Sequence, residues 1–176
     1  LLLMRDRKDR SKRRGLGAFL WGTEGALLTE ALIVVPVVTI FAVGILEFGN
    51  VFWQRHQVQV GVRDAARYWS RCRGIAPFNT CTQDVARNLA FYGNPAGTGL
   101  PRVPGWTTDA GLTITVSWTT ADGQTITPAL PPSNPPRNAL VTVTGTHRYT
   151  GSPLMRLIDL EAFNFTYTHN QRYMGW

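Results

Sequence analysis

The chain has 176 residues, 44% of them hydrophobic, and a formal net charge of +7. That length allows one modest domain plus a membrane segment and excludes two domains of usual size. The apolar content excludes a disordered chain.

The charge is unevenly placed. Residues 1–25 hold seven Arg and Lys against three acids, a surplus of four, and the remainder holds eleven arginines against eight acids, a surplus of three. A basic leader directly ahead of an apolar run is the expected cytoplasmic flank of a membrane helix. The charge is accounted for in that way, and nucleic acid is not an expected partner.

Residues 26–46 read ALLTEALIVVPVVTIFAVGIL, 21 residues with one charge, Glu30. A helix needs about 20 apolar residues to cross the hydrocarbon core. Phe19 and Trp21 precede the run, and Phe52 and Trp53 follow it, as aromatic belts do at membrane interfaces. A cleaved secretory signal would have a shorter apolar region, about 7–15 residues, followed by a small-residue cleavage site. The expectation is a single-pass anchor in the lipid bilayer with a cytoplasmic N-terminus. Pro36 lies inside the run and is read as a kink, which membrane helices tolerate.

Glu30 carries the most information. A charged residue at the centre of a membrane helix costs roughly 2.5–3.5 kcal/mol on insertion scales. Glu30 is the fifth residue after Gly25, near the start of the run. A basic leader, a glycine, an acid at the fifth following position and an apolar helix form the substrate pattern of a prepilin peptidase. Cutting after Gly25 would make Ala26 a new amino terminus. In a helix bundle that cation could pair with Glu30 of a neighbour and set the register.

The resemblance extends further. Gly25, Glu30, Pro36, Glu47-Phe48-Gly49 and Arg63-Asp64-Ala65-Ala66-Arg67 stand in this order, and with them the segment resembles the TadE-like family of tight-adherence (Tad) pilus assembly proteins. Ala31 stands where that family usually has Phe, and Glu24 precedes the glycine. The resemblance implies a minor pilin or pseudopilin processed by a prepilin peptidase. It also implies other pilins or pseudopilins as partners, and residence in the bacterial cytoplasmic (inner) membrane with the C-terminal domain outside.

Beyond the apolar run, Val51, Val58, Val62, Ala65, Ala66 and Trp69 recur at three- and four-residue steps, which predicts one helix continuing to about residue 70. Glu47 is read as a solvated interfacial acid, with another assembly contact as the alternative. Arg63, Asp64 and Arg67 are read as a solvated helix face, with a binding role as the minority reading.

Cys72 and Cys81 are the only cysteines. They lie on the side where disulfides persist and are expected to be bonded. Thr80-Cys81-Thr82-Gln83 fits a capping box ahead of a short helix that Gly93 would stop. Residues 94–106, rich in Gly and Pro, read as a loop.

Apolar residues alternate with Thr around 112–119, 141–149 and 163–170, which predicts three strands with one buried face. Asp122-Gly123 marks a turn before a short fourth strand at 124–127. Residues 128–138 read as loop, and Ser152-Pro153 as the start of a short helix carrying Leu154, Leu157 and Ile158.

The expected architecture is α+β. A basic leader (1–25) is followed by a transmembrane and stalk helix (26–71) and an external domain (72–176) whose antiparallel sheet of three to four strands packs on the helix. No nucleophile elbow, phosphate loop or metal-ligand histidine spacing occurs, so neither enzymatic activity nor a cofactor or metal is expected. The competing function class is a signal-anchored extracytoplasmic binding or enzymatic domain with an uncleaved anchor.

Overall fold

A 48-residue helix, α1, spans Thr23–Ser70 and runs through Pro36. It is the first element of a computed structural model that describes residues 23–72, 81–107, 111–128, 135–151 and 162–174. The chain forms two compact units, one ending at Leu46 and one beginning at Glu47.

Among the described residues of the first unit the large apolar side chains are exposed. Leu27, Leu32, Ile40, Phe41 and Leu46 all stand exposed, Leu32 at 75%. An 18-residue window here has a mean hydropathy of 2.5, and α1 is the one described helix long and apolar enough to cross a membrane. Exposed apolar area on this scale is unfavourable in water and needs an apolar surrounding.

In the second unit the same helix becomes amphipathic. Val58, Val62, Ala65, Ala66 and Trp69 are buried, while Arg55, Arg63 and Arg67 are exposed. The three- and four-residue spacing of the buried set makes one face. Val51, at the upper end of that expected face, is only half-buried.

Helix α2 spans Gln83–Tyr92. Its N-cap is Thr82, whose side chain accepts from the Val85 N–H, and its C-cap Gly93 has φ 76° and donates its N–H to the Leu89 carbonyl. The helix therefore starts later than a box opened by Thr80 would allow. Three residues after Thr82 stands Val85, so the reciprocal Glu or Gln arm of a capping box is missing.

The sheet has strand order β2-β1-β3-β4, all neighbours antiparallel. Its strands are β1 (Leu112–Thr119), β2 (Thr125–Ile126), β3 (Leu140–Tyr149) and β4 (Phe163–Arg172). Strand β2 is thus shorter than the strand expected over 124–127, and β3 and β4 are slightly longer than expected. The register places Leu112 opposite Gly145 and Ile114 opposite Val143. Leu112, Val116, Val141 and Val143 are buried on this face. The other face carries hydroxyls, with Thr144 bonded to Thr168 and Thr146 to Thr166 through Oγ1.

Two glycines set how closely the elements meet. A Cβ on Gly145 would press on Val62 and Trp106, and one on Gly61 would overlap the Ala90 carbonyl and come within 2.9 Å of the Trp106 ring. Glycine at both positions lets α1 lie directly on β3 and α2. Trp106 itself, 1% exposed, comes from the stretch read as plain loop. It packs edge-on against Phe91 at 5.0 Å and donates its indole N–H to the Gly111 carbonyl.

The end of α1 is tied down three ways. Cys72 and Cys81 form a disulfide with Cα atoms 5.7 Å apart. The Met174 N–H donates to the Ser70 carbonyl. The Tyr173 hydroxyl donates to the Cys72 carbonyl at 2.7 Å. Terminal helix carbonyls lack intrahelical donors, and these contacts supply them. The expected short helix after Ser152 lies outside the described residues.

Gly61→Ala tests this packing. Helix propensity favours alanine by about 1 kcal/mol, but overlap with a backbone carbonyl costs about 1–3 kcal/mol. Thermal unfolding of the detergent-solubilised chain should show a lower Tm for the variant, whereas propensity alone would raise it.

Candidate assembly segment

Gly25 and Ala26 lie in the first turn of α1. The Thr29 hydroxyl donates to the Gly25 carbonyl at 3.1 Å. Glu30 is exposed. Ala26 and Glu30 are four residues apart, which puts them one turn apart on one helix face.

Pro36 has no N–H, so the carbonyl of Leu32 has no helical donor at that turn. The Thr39 hydroxyl back-bonds to the Val35 carbonyl at 2.7 Å just after it. Phe48 is 62% exposed. A side chain at Gly44 or Gly49 would meet no atom within 4 Å, so packing within this chain does not explain either glycine.

Glu47 is not the solvated acid its position suggests. The Tyr149 hydroxyl donates to its Oε1 at 2.5 Å, and Asn50 Nδ2 donates to that same hydroxyl oxygen at 3.3 Å. Gln54 Nε2 then donates to Asn50 Oδ1, and Gln54 Oε1 meets His147 Nε2 at 3.2 Å. Residues 47, 50 and 54 follow the 3.6-residue period and share one helix face. Residues 147 and 149 share one face of β3 by the period of two. A polar ladder thus joins α1 to β3 beside the apolar core.

The ladder is electrostatically consistent. Burial pushes the Tyr149 phenol up to about 12, and the hydrogen bond to Glu47 and its charge add to the shift. Burial holds His147 below the usual imidazole range. Facing a carbonyl oxygen, its Nε2 is assigned the proton, an inference from the network.

The Arg-x-Ala-Ala-Arg element divides along the helix period. Ala65 and Ala66 are fully buried. Asp64, between them and Arg63 in sequence, pairs with Arg102 at 2.6 Å and is only partly exposed, so it leaves the solvated face expected for it. Arg63 donates from Nε and Nη2 to the Tyr167 hydroxyl at 3.3 and 3.2 Å. Its Cζ lies 5.7 Å from the centre of that ring. Arg67 is exposed.

Sequence reasoning missed Tyr149, Gln54, His147 and Arg102. Each acts through a partner 38 or more positions away, and no local spacing encodes that. His56 is exposed and His169 half-buried. Among the described residues no three His, Cys, Asp or Glu side chains gather into a metal site.

The family model described as TadE-like protein matches residues 25–67. It opens at the glycine before Ala26 and closes at the second arginine of the Arg-x-Ala-Ala-Arg element. No curated protein and no solved structure matches the chain.

Tyr149→Phe should lower stability by about 1.5–3 kcal/mol, as expected for a lost hydrogen bond to a charged group. A double-mutant cycle with Glu47→Gln should return a coupling of about 0.5–3 kcal/mol, against additivity within about 0.5 kcal/mol for independent sites. The pH dependence has a definite sign. Because the phenol is raised from 10.0 to about 12 in the fold, its contribution is complete below pH 10 and is lost as pH rises through about 12. Denaturation from pH 9 upward should show this loss in the native chain and a smaller one in Tyr149→Phe, where burial still raises the Tyr173 phenol.

Proposed function

We propose that this protein is a pilin-like assembly protein of a Tad-type pilus, anchored by α1 in the bacterial cytoplasmic membrane. The observation that carries the reading is the coincidence of three features in one helix. The TadE-like match spans residues 25–67 of α1. The apolar first part of α1 is unburied. The acid at the fifth position after the opening glycine stands on that apolar part.

Orientation follows from two independent arguments. The seven Arg and Lys of residues 1–25 favour the cytoplasm for the N-terminus. The Cys72–Cys81 disulfide favours an oxidising, extracytoplasmic side for the second unit.

Processing after Gly25 also has a physical basis. The first four N–H groups of a helix have no intrahelical acceptor, and glycine in a helix interior costs about 1 kcal/mol relative to alanine. The turn containing the Gly25–Ala26 bond is therefore among the easiest parts of α1 to unwind into a protease. Cleavage leaves an ammonium on Ala26, one turn from Glu30. The Glu30 carboxylate lies just past the first turn of the cleaved helix, where the favourable effect of the helix dipole has largely faded. In a bundle it pairs with the ammonium of a neighbouring pilin or pseudopilin, which offsets the cost of holding an acid among lipid chains.

Intact mass and N-terminal sequencing of the membrane-extracted chain, made with and without a prepilin peptidase, test this. The expected result is a peptidase-dependent terminus at Ala26 and loss of the leader's mass. Glu30→Gln should still be cut and inserted but should be depleted from the assembled fraction. An intact leader beside a peptidase that cuts a control pilin would leave an ordinary anchored extracytoplasmic domain as the better account.

A further inference from the structure

The fold buries the alanines of the Arg-x-Ala-Ala-Arg element and pairs its aspartate, and it leaves both arginines exposed. Ala65 and Ala66 build the core, and Asp64 holds Arg102. Arg63 and Arg67 point outward, and Arg71, in the turn that follows α1, is exposed as well. These three arginines are four residues apart. On a helix that spacing makes a single ridge, and like charges so placed repel by about 0.2–0.5 kcal/mol per pair. The helix C-terminus favours cations in its last turn and offsets part of that repulsion. Nothing in the fold, however, uses the guanidinium of Arg67 or Arg71 among the described residues.

Arg63 is already arranged for binding. Tyr167 fixes its guanidinium from the side, by hydrogen bonds at 3.2 and 3.3 Å and by the ring beneath it. A side chain so held loses less freedom when it meets a ligand.

Among the described residues of the second unit, a second copy of the chain offers little to neutralise this ridge. From Glu47 onward the described residues hold nine arginines against four acids, a surplus of five. Of those acids, Glu47 accepts from Tyr149, Asp64 pairs with Arg102 and Asp84 pairs with Arg87. Only Asp122, in the β1–β2 turn, has no such engagement among the described contacts. A second copy would bring a further net charge of +7 and, among its described residues, no matching row of carboxylates.

We propose that the Arg63–Arg67–Arg71 ridge is a docking surface for a different, acidic polypeptide, whose carboxylates accept forked hydrogen bonds from the guanidinium groups. Arginine suits this task because its planar donor pair matches a carboxylate. A lipid headgroup fits less well, because Arg63 lies ten residues past Trp53, about 15 Å along the helix. The ridge is one arginine wide, narrower than the groove that tracks a nucleic-acid strand. The inference is independent of whether Gly25 is cut, and its test uses the uncut chain.

The full chain in detergent is titrated with a labelled short poly-L-glutamate, and separately with an oligo-thymidylate of equal charge. Arg63→Ala/Arg67→Ala/Arg71→Ala is compared with Arg137→Ala/Arg148→Ala/Arg172→Ala, which removes the same charge from other exposed positions. Arg67→Glu alone gives a variant whose side chain has no contact to lose. The ridge variant should bind poly-L-glutamate at least about tenfold more weakly, and the control less than about threefold, since isolated surface charges contribute little. Arg67→Glu should weaken binding while leaving the Tm unchanged. Equal losses in ridge and control variants would overturn the proposal. So would a ridge that prefers the oligo-thymidylate, or one whose poly-L-glutamate is displaced by phosphatidylglycerol added to the micelles.

Discussion

The second unit depends on α1 lying directly against β3. Val58 and Val62 can reach Val141 and Val143 only because Gly145 presents no side chain at the contact, and Gly61 does the same toward α2. Small residues at the crossing bring the backbones together. The larger residues of the same cluster, Trp69, Phe91 and Trp106, are buried around it. The disulfide and the Tyr173–Met174 contacts hold the end of the helix against this core.

Polar groups border the packed region in an ordered way. At one end of the contact, Glu47, Asn50 and Gln54 meet Tyr149 and His147. Further along, Asp64 meets Arg102. Groups of this kind are costly when buried alone and tolerable when their partners are in place. Because the partners come from β3 and from the loop after α2, the ladder and the ion pair also select one rotation of α1 against the sheet. A helix turned by one residue, about 100°, would separate these pairs as well as carry the buried face off the sheet.

One helix thus serves two surroundings. Up to Leu46 its large apolar side chains stand exposed among the described residues. From Glu47 it follows the amphipathic rule of a helix that covers a sheet. The TadE-like match extends across both parts. Its residues accordingly divide by location: Glu30 stands among exposed apolar side chains, whereas Glu47 and Asp64 face partners in the fold.

By itself the sequence determined the elements. The apolar run, the change of period after residue 50, the Thr-alternating strands and the glycine stop at Gly93 are all local patterns, and each depends on neighbours within a turn or a strand. The cysteine pair was readable because it stands close in sequence and on one side of the anchor. Tertiary structure decided the rest. It determined which polar side chains are solvated and which are held, because burial depends on residues a hundred positions away: Glu47 needs Tyr149, and Gln54 needs His147. It put Trp106 into the core from a loop with no periodicity at all. It also separated the alanines of the Arg-x-Ala-Ala-Arg element from its arginines. The helix period alone shows that these face different ways, but only the packing of β3, α2 and the sheet shows which way is in.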